Sequence, residues 1–156
     1  MSLRDVIFNQ QAVVLGYSFD DEIKIGGNYV PLIQHENCIY ISGQIPRVGN
    51  EVVVTGAAGG DVTLALAQTA AQIATMRAMA LLQRYLGSLD KVKSILRLTV
   101  YVQSSLTFTQ QSEVADGASN LLYRIFGDDG RHTRTSVGVH QLPKNATVEI
   151  DMVVAA

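Results

Sequence analysis

Between Lys91 and Val102 the chain reads KVKSILRLTVYV, and within it Leu96, Leu98, Val100 and Val102 alternate with Arg97, Thr99 and Tyr101. Successive side chains of a strand point to opposite faces, so this spacing predicts a strand with one apolar and one mixed face. The closing TVEIDMVV repeats the pattern: Val148, Ile150, Met152 and Val154 form the set expected to be buried, and Thr147, Glu149, Asp151 and Val153 share the other side. Cys38 to Ser42, Val52 to Thr55 and Thr135 to Val139 are β-branched or aromatic enough to predict three further short strands.

The remaining regular segments are helical. Leu64 to Leu86 is rich in Ala, Leu, Gln and Met, with Leu66, Ala70, Ile73, Ala74, Ala80 and Leu81 expected on its buried surface. Asp61 or Thr63 supplies the oxygen that caps its first turn, and Gly87 with Ser88 ends it. A second helix is expected over Glu113 to Phe126, with Val114, Ala118, Leu121, Leu122 and Ile125 as its apolar stripe and Gly117 as its weak point. GAAGGD and GDDGR read as turns, and HQLPKNA connects the last two strands. The first 24 residues are an N-terminal extension whose structure the sequence leaves open: a short amphipathic helix is one reading, and Gly16 with the polar residues after it speaks against assigning it. The expectation is one α+β domain over residues 25–156.

Composition limits what such a domain can do. With 156 residues and 47% hydrophobic side chains there is material for a single core. Twelve Lys and Arg against fourteen Asp and Glu give a net charge of -2, which argues against broad attraction to nucleic acid. The single cysteine, Cys38, excludes an intrachain disulfide framework. No uninterrupted apolar run suits a bilayer, and the first residues lack a secretory pattern, so a cytoplasmic location without membrane contact is expected.

Two kinds of group stand out chemically. Glu149 and Asp151 share one strand face, an arrangement that serves either a solvated surface or a cleft with two acids. Arg134 has a rigid guanidinium able to hold both oxygens of a carboxylate, and subunit association can bring it to Glu149 even where one chain does not. Other motifs are weaker. GAAGGD lacks the Lys-Ser/Thr ending of a phosphate loop, Ser119 sits in no nucleophile elbow, and His35, His132 and His140 show no metal-ligand spacing. Tyr40, Tyr101, Phe108, Phe126, Met76 and Met79 suit packing.

Taken together, GNYVP, ISGQIP, DGASNLL, GRHTRTSVGV and LPKNATVEI resemble the YjgF/RidA/L-PSP family of imine deaminases, its longer members above all, from Ile25 through Val154. The resemblance implies a chorismate-mutase-like α+β fold, a mixed sheet with two helices packed on one face, assembled as a homotrimer with substrate clefts between subunits. It implies Arg134 as the carboxylate-binding arginine and Glu149 as the acid that positions the hydrolytic water. Tyr29, Gly43 and Ser136 are implied substrate-binding neighbours, although Ser136 stands where the common pattern has cysteine, so no thiol role carries over. Asn28 replaces a common proline, and Asp116, Ser119 or Asn120 supplies the polar lining where the family commonly places an asparagine. The implied activity is hydrolysis of small 2-imino acids with no metal or redox cofactor. Two alternatives accompany it: a carboxylate-metabolite-binding or sensor trimer without turnover, and endoribonuclease-like RNA cleavage with Arg131 and Arg134 at phosphates and His132 as the first base to test.

Overall fold

A computed structural model describes residues 1–156. In chain order it contains α1 (Leu3–Leu15), β1 (Leu32–His35), β2 (Cys38–Gln44), β3 (Arg47–Val48), β4 (Glu51–Val52), α2 (Leu64–Leu86), β5 (Ser94–Gln103), α3 (Gln111–Phe126), β6 (Thr133–Val139) and β7 (Val148–Ala155). The main sheet has the order β1-β2-β7-β5-β6, antiparallel throughout except for the parallel pair β5 and β6, which α3 connects. It is a mixed sheet in an α+β fold, as expected.

Alternation decides which face is covered. Ile95, Leu98, Val100 and Val102 of β5 and Val148, Ile150, Met152 and Val154 of β7 are fully buried beneath the helices, while Thr99, Tyr101, Glu149 and Asp151 look the other way. On β2 the parity changes partway: Ile41 pairs with Met152 and Gln44 with Ile150, so Ser42 and Gly43 together oppose Asp151 in a β-bulge. The bulge lets Ile41 and Gln44 both point under the helices.

α2 is capped by Thr63, whose side chain accepts from the Leu66 amide at 3.2 Å, and it ends at Gly87, where φ is 88°. That settles the choice between Asp61 and Thr63. From Ile73 to Leu82 every residue of α2 is buried, including Thr75 and Arg77. Leu66, expected in the buried stripe, is 44% exposed, because cover over α2 begins only at Ala67. α3 packs beside α2 at Gly117, where an added Cβ would stand 2.4 Å from the Gln68 carbonyl oxygen. The residue that weakens α3 as a helix permits the two helix backbones to approach.

One further expectation changes. A strand over Val52 to Thr55 shrinks to Glu51–Val52, which forms a small hairpin with Arg47–Val48. The following chain instead runs beside residues 145–147, with Thr55 bridged to Ala146 and Gly56 turning away at φ 106°. The first 24 residues, whose structure the sequence leaves open, contribute a third helix: α2 and α3 cover the sheet, as expected, and α1 packs outside them against both. α1 is held by Asp5, whose carboxylate accepts from Ser88, Gln83 and the Leu89 amide at 2.6–3.1 Å, and by Phe8, which meets Phe19 edge-on with ring centroids 6.4 Å apart. Both rings belong to the main hydrophobic cluster.

Candidate functional site

Burial under the helices forces Ile150 inward, so its neighbour Glu149 must face the open side of the sheet. There Glu149 lines a cavity of about 530 Å³ together with Tyr29 from the segment before β1 and Gly43 from the β2 bulge. Three of the expected site residues therefore meet within one chain. Gly43 passes under the acid so closely that a Cβ there would stand 2.8 Å from Glu149 Oε2, and only a residue without one leaves the carboxylate its place.

The Glu149 carboxylate makes no hydrogen bond within the chain, and partial burial, followed by the Asp151 charge, raises its pKa above the ordinary carboxylate value. A raised pKa and uncommitted lone pairs suit an acid that accepts a hydrogen bond from water. Asp151, two residues on, is different. Burial raises its pKa as well, but the Thr99 and Tyr101 hydroxyls and the Arg97 guanidinium pull it back. Asp151 is thus built into the polar face of the sheet, and Glu149 is the acid that opens on the cavity.

Arg134 lies elsewhere. It pairs in register with Leu98, a fully buried residue on the helix side, whereas Glu149 pairs with Tyr101 on the open side. The two groups expected to act together are on opposite faces of the sheet, with β5 between their strands. Arg134 Nη1 donates to Asp116 Oδ1 at 2.8 Å and Ser119 Oγ at 3.0 Å, and Nη2 donates to Ser112 Oγ at 2.8 Å and Ser112 O at 3.3 Å. Those bonds occupy the terminal edge of the guanidinium and leave Nε–H free. Ser136, two residues along β6, keeps the same helix-side parity and is likewise outside the Glu149 cavity.

The polar lining around Arg134 also becomes specific. Asp116 and Ser119 bond the guanidinium, and Asn120 is exposed and does not. His132 completes the cluster: its Nδ1 lies 2.7 Å from the Gly130 carbonyl and its Nε2 2.8 Å from Ser119 Oγ. A carbonyl can only accept, so Nδ1 carries a proton toward Gly130, and Nε2 is the ring atom that meets the Ser119 hydroxyl. No group of three His, Cys, Asp or Glu side chains in the chain could hold a metal ion.

Sequence reasoning missed the cations of the cavity. Arg77, Arg47, Lys24 and Lys144 line it with Glu149 as the single carboxylate. Arg77 was visible as the one charge in ATMRAMALL, inside a helix otherwise suited to the core. Lys144 is held by a loop that Gln103 pins, accepting from the Leu142 amide and donating to Asn145 Oδ1, both at 2.7–2.8 Å. Lys144 and Asn145 are both left-handed, with φ of 58° and 59°, a conformation that costs a lysine about 1 kcal/mol.

Comparison with known proteins gives consistent matches. Residues 10–154 fit the family model described as "YjgF/chorismate_mutase-like, putative endoribonuclease". Protein TCP17 of Trypanosoma cruzi is 41% identical over 128 residues, covering 81% of this chain and 80% of that protein. Among solved structures, Atu1372 of Agrobacterium tumefaciens, a protein of unknown function, is 36% identical with a TM-score of 0.85, over 97% of this chain and 93% of its own. A "putative endoribonuclease" of Shewanella oneidensis is 28% identical with a TM-score of 0.87, over 96% and 99%. No helix of the chain is long and apolar enough to cross a membrane.

Proposed function

The chain belongs to the YjgF/chorismate-mutase-like family, and from that footing we propose that it hydrolyses small 2-imino acids to 2-oxo acids and ammonia at the Glu149 cavity. The observation that carries this reading is the meeting of Tyr29, Gly43 and an uncommitted Glu149 carboxylate of raised pKa in one space large enough for a metabolite. Glu149 accepts a hydrogen bond from water and aims it at the electrophilic carbon of the C=N bond. Water adds, nitrogen leaves as ammonia, and the carbon keeps the oxygen. An enamine must first tautomerise to the imine. Each step needs positioning and a group that takes a proton from the attacking water and returns it to the departing nitrogen, with no electron transfer.

Arg134 enters this scheme only from a neighbouring copy, since its own chain turns it to the opposite face from Glu149. The proposed assembly is the trimer with clefts between subunits. Two features support association: the open face of the sheet has no helix over it, and it carries Ile33, Tyr40 and Val137 at 39–60% exposure. In the assembled site Arg134 would take the substrate's 2-carboxylate through Nε–H, with Ser136 beside it.

The test is ammonia and 2-oxo acid release from freshly generated 2-imino acids, corrected for spontaneous hydrolysis. Wild type is expected to exceed the water rate, and Glu149→Gln to lose about a hundredfold or more of the enhancement with assembly unchanged. No rate above water across the panel, with ligand still bound, would leave a carboxylate-sensing trimer as the better reading. RNA cleavage has least support, because the chain carries a net charge of -2 and His132, the first histidine it would call on, is already bonded to the Gly130 carbonyl and Ser119.

A further inference from the structure

Arg77 is 5% exposed, yet no carboxylate pairs with it. Its Nε donates to Gln44 Oε1 at 3.3 Å and its Nη1 to the Arg47 carbonyl at 2.7 Å, both neutral acceptors. A buried guanidinium without a counter-charge is costly, because burial strips its hydration and no opposite charge replaces it. Burial, and then the positive charges of Arg47 and Arg84, lower its pKa to about 10, so the local field is cationic. Arg77 nonetheless remains charged at neutral pH, and it stands in the wall of the Glu149 cavity beside Arg47, Lys24 and Lys144. Arg47 contributes a second sign of an unmet partner, because its Nε is buried with no hydrogen-bond acceptor.

The placement is constructed by the fold. The β2 bulge turns Gln44 under the helices, where its amide donates to the Ser42 carbonyl and its oxygen holds Arg77 Nε. Arg77 is thereby fixed in orientation without being neutralised, as a preorganised anion site requires. The Arg134 cluster is the opposite case: its guanidinium already has Asp116 at 2.8 Å.

We propose that Arg77, with Arg47, Lys24 and Lys144, forms an anion subsite in the Glu149 cavity, which takes a second anionic group of the metabolite, a distal carboxylate or a phosphate. The ligand is then a dianion, anchored at its far end inside one chain, with its 2-carboxylate directed toward the subunit boundary. This extends the imine reading by naming the substrate class, and it rests on that reading only for the orientation of the ligand.

Binding of stable 2-oxo acids to the full chain tests it without turnover. By calorimetry in about 150 mM salt, 2-oxoglutarate is expected to bind at least about tenfold tighter than 2-oxopentanoate, which has the same carbon chain without the distal carboxylate. Arg77→Gln is expected to erase that preference, and Arg47→Gln to reduce it severalfold. The Arg47 variant, altered at a half-buried position, keeps the test decisive where Arg77→Gln does not fold. Inorganic phosphate that displaces 2-oxoglutarate at lower concentration than 2-oxoglutarate itself binds would assign the subsite to phosphate esters. Equal affinity for the two oxo acids in wild type, or an intact preference in a folded Arg77→Gln or in Arg47→Gln, overturns the proposal. Either result leaves Glu149-dependent hydrolysis standing, and absent hydrolysis leaves the binding result unaffected.

Discussion

A methyl group built on Gly43 would stand 2.8 Å from Oε2 of Glu149 and 2.9 Å from its carboxyl carbon. The neighbour that must move is the end of a flexible side chain, so Gly43→Ala displaces the acid instead of breaking the fold. The expected result is a loss of about tenfold to a hundredfold in kcat/KM for imine hydrolysis, with Tm within a few degrees of wild type. A variant that retains full activity would separate Glu149 from the water-positioning role.

Glu149 also sets a pH dependence. Its pKa is raised by burial and by Asp151, so between the ordinary carboxylate value and the raised one the folded chain binds more protons than the unfolded chain. Stability from this group is therefore present at low pH and is lost as pH rises through the folded-state pKa. Glu149→Gln should melt above wild type at about pH 8, with the gap closing near pH 4. Thermal melts across that range measure it. The same shift places the ascending limb of wild-type kcat/KM above the usual carboxylate range, and Glu149→Gln should flatten it.

Asp5 has the opposite sign. Burial pushes its carboxyl up, but hydrogen bonds from Ser88, Ser2, Gln83 and the Leu89 amide outweigh burial and hold its pKa at about 2. Its contribution is present above the ordinary carboxylate value and is lost as pH falls toward 2. Asp5→Asn should lower Tm by several degrees at pH 7, and the deficit should shrink on acidification.

How much of this was legible beforehand depended on whether the signal was local. Period-two alternation placed β7 and the part of β5 from Leu98 to Val102, and with them the face on which Glu149 stands; Leu96, expected on the buried side, is 39% exposed because a bulge between Ile95 and Arg97 shifts the register and buries Ile95 instead. The Ala-rich run located α2, but not that Arg77 would be buried within it, since the cover comes from distant segments. The resemblance gathered Tyr29, Gly43 and Glu149, which share a cavity. It could not show that Arg134 and Glu149 face apart within the chain, for that follows from strand order and register, which no short motif encodes. α1 was ambiguous because Phe8 is its one buried apolar side chain, and the rest of its anchoring comes largely from hydrogen bonds of Arg4, Asp5 and Gln11 to distant segments.

Gly117 offers a purely structural test. Its missing Cβ admits the Gln68 carbonyl, and an alanine methyl would meet backbone at 2.4 Å on the facing helix, where neither side can yield cheaply. Gly117→Ala should cost at least about 1–3 kcal/mol despite alanine's better helix propensity. Urea denaturation measures the loss, and a stabilised variant would show that α2 and α3 are free to separate.

Arg134 can be examined through its partner. Asp116→Asn weakens the ion pair that engages Nη1 without removing the arginine. If Arg134 receives a substrate carboxylate across a subunit boundary, the freed guanidinium should lower KM severalfold, and Arg134→Gln should raise it. Unchanged KM in both variants would exclude Arg134 from substrate binding.

The extra residue at Ser42–Gly43 has an evolutionary consequence. A substitution in this stretch acts at one contact, whereas a change in its length acts at all of them: deleting a single position would swing Gln44 out from beneath α2, release its grip on Arg77 and carry away the clearance under Glu149 at one stroke. The number of residues here is therefore held more tightly than the identity of any one of them, Gly43 excepted.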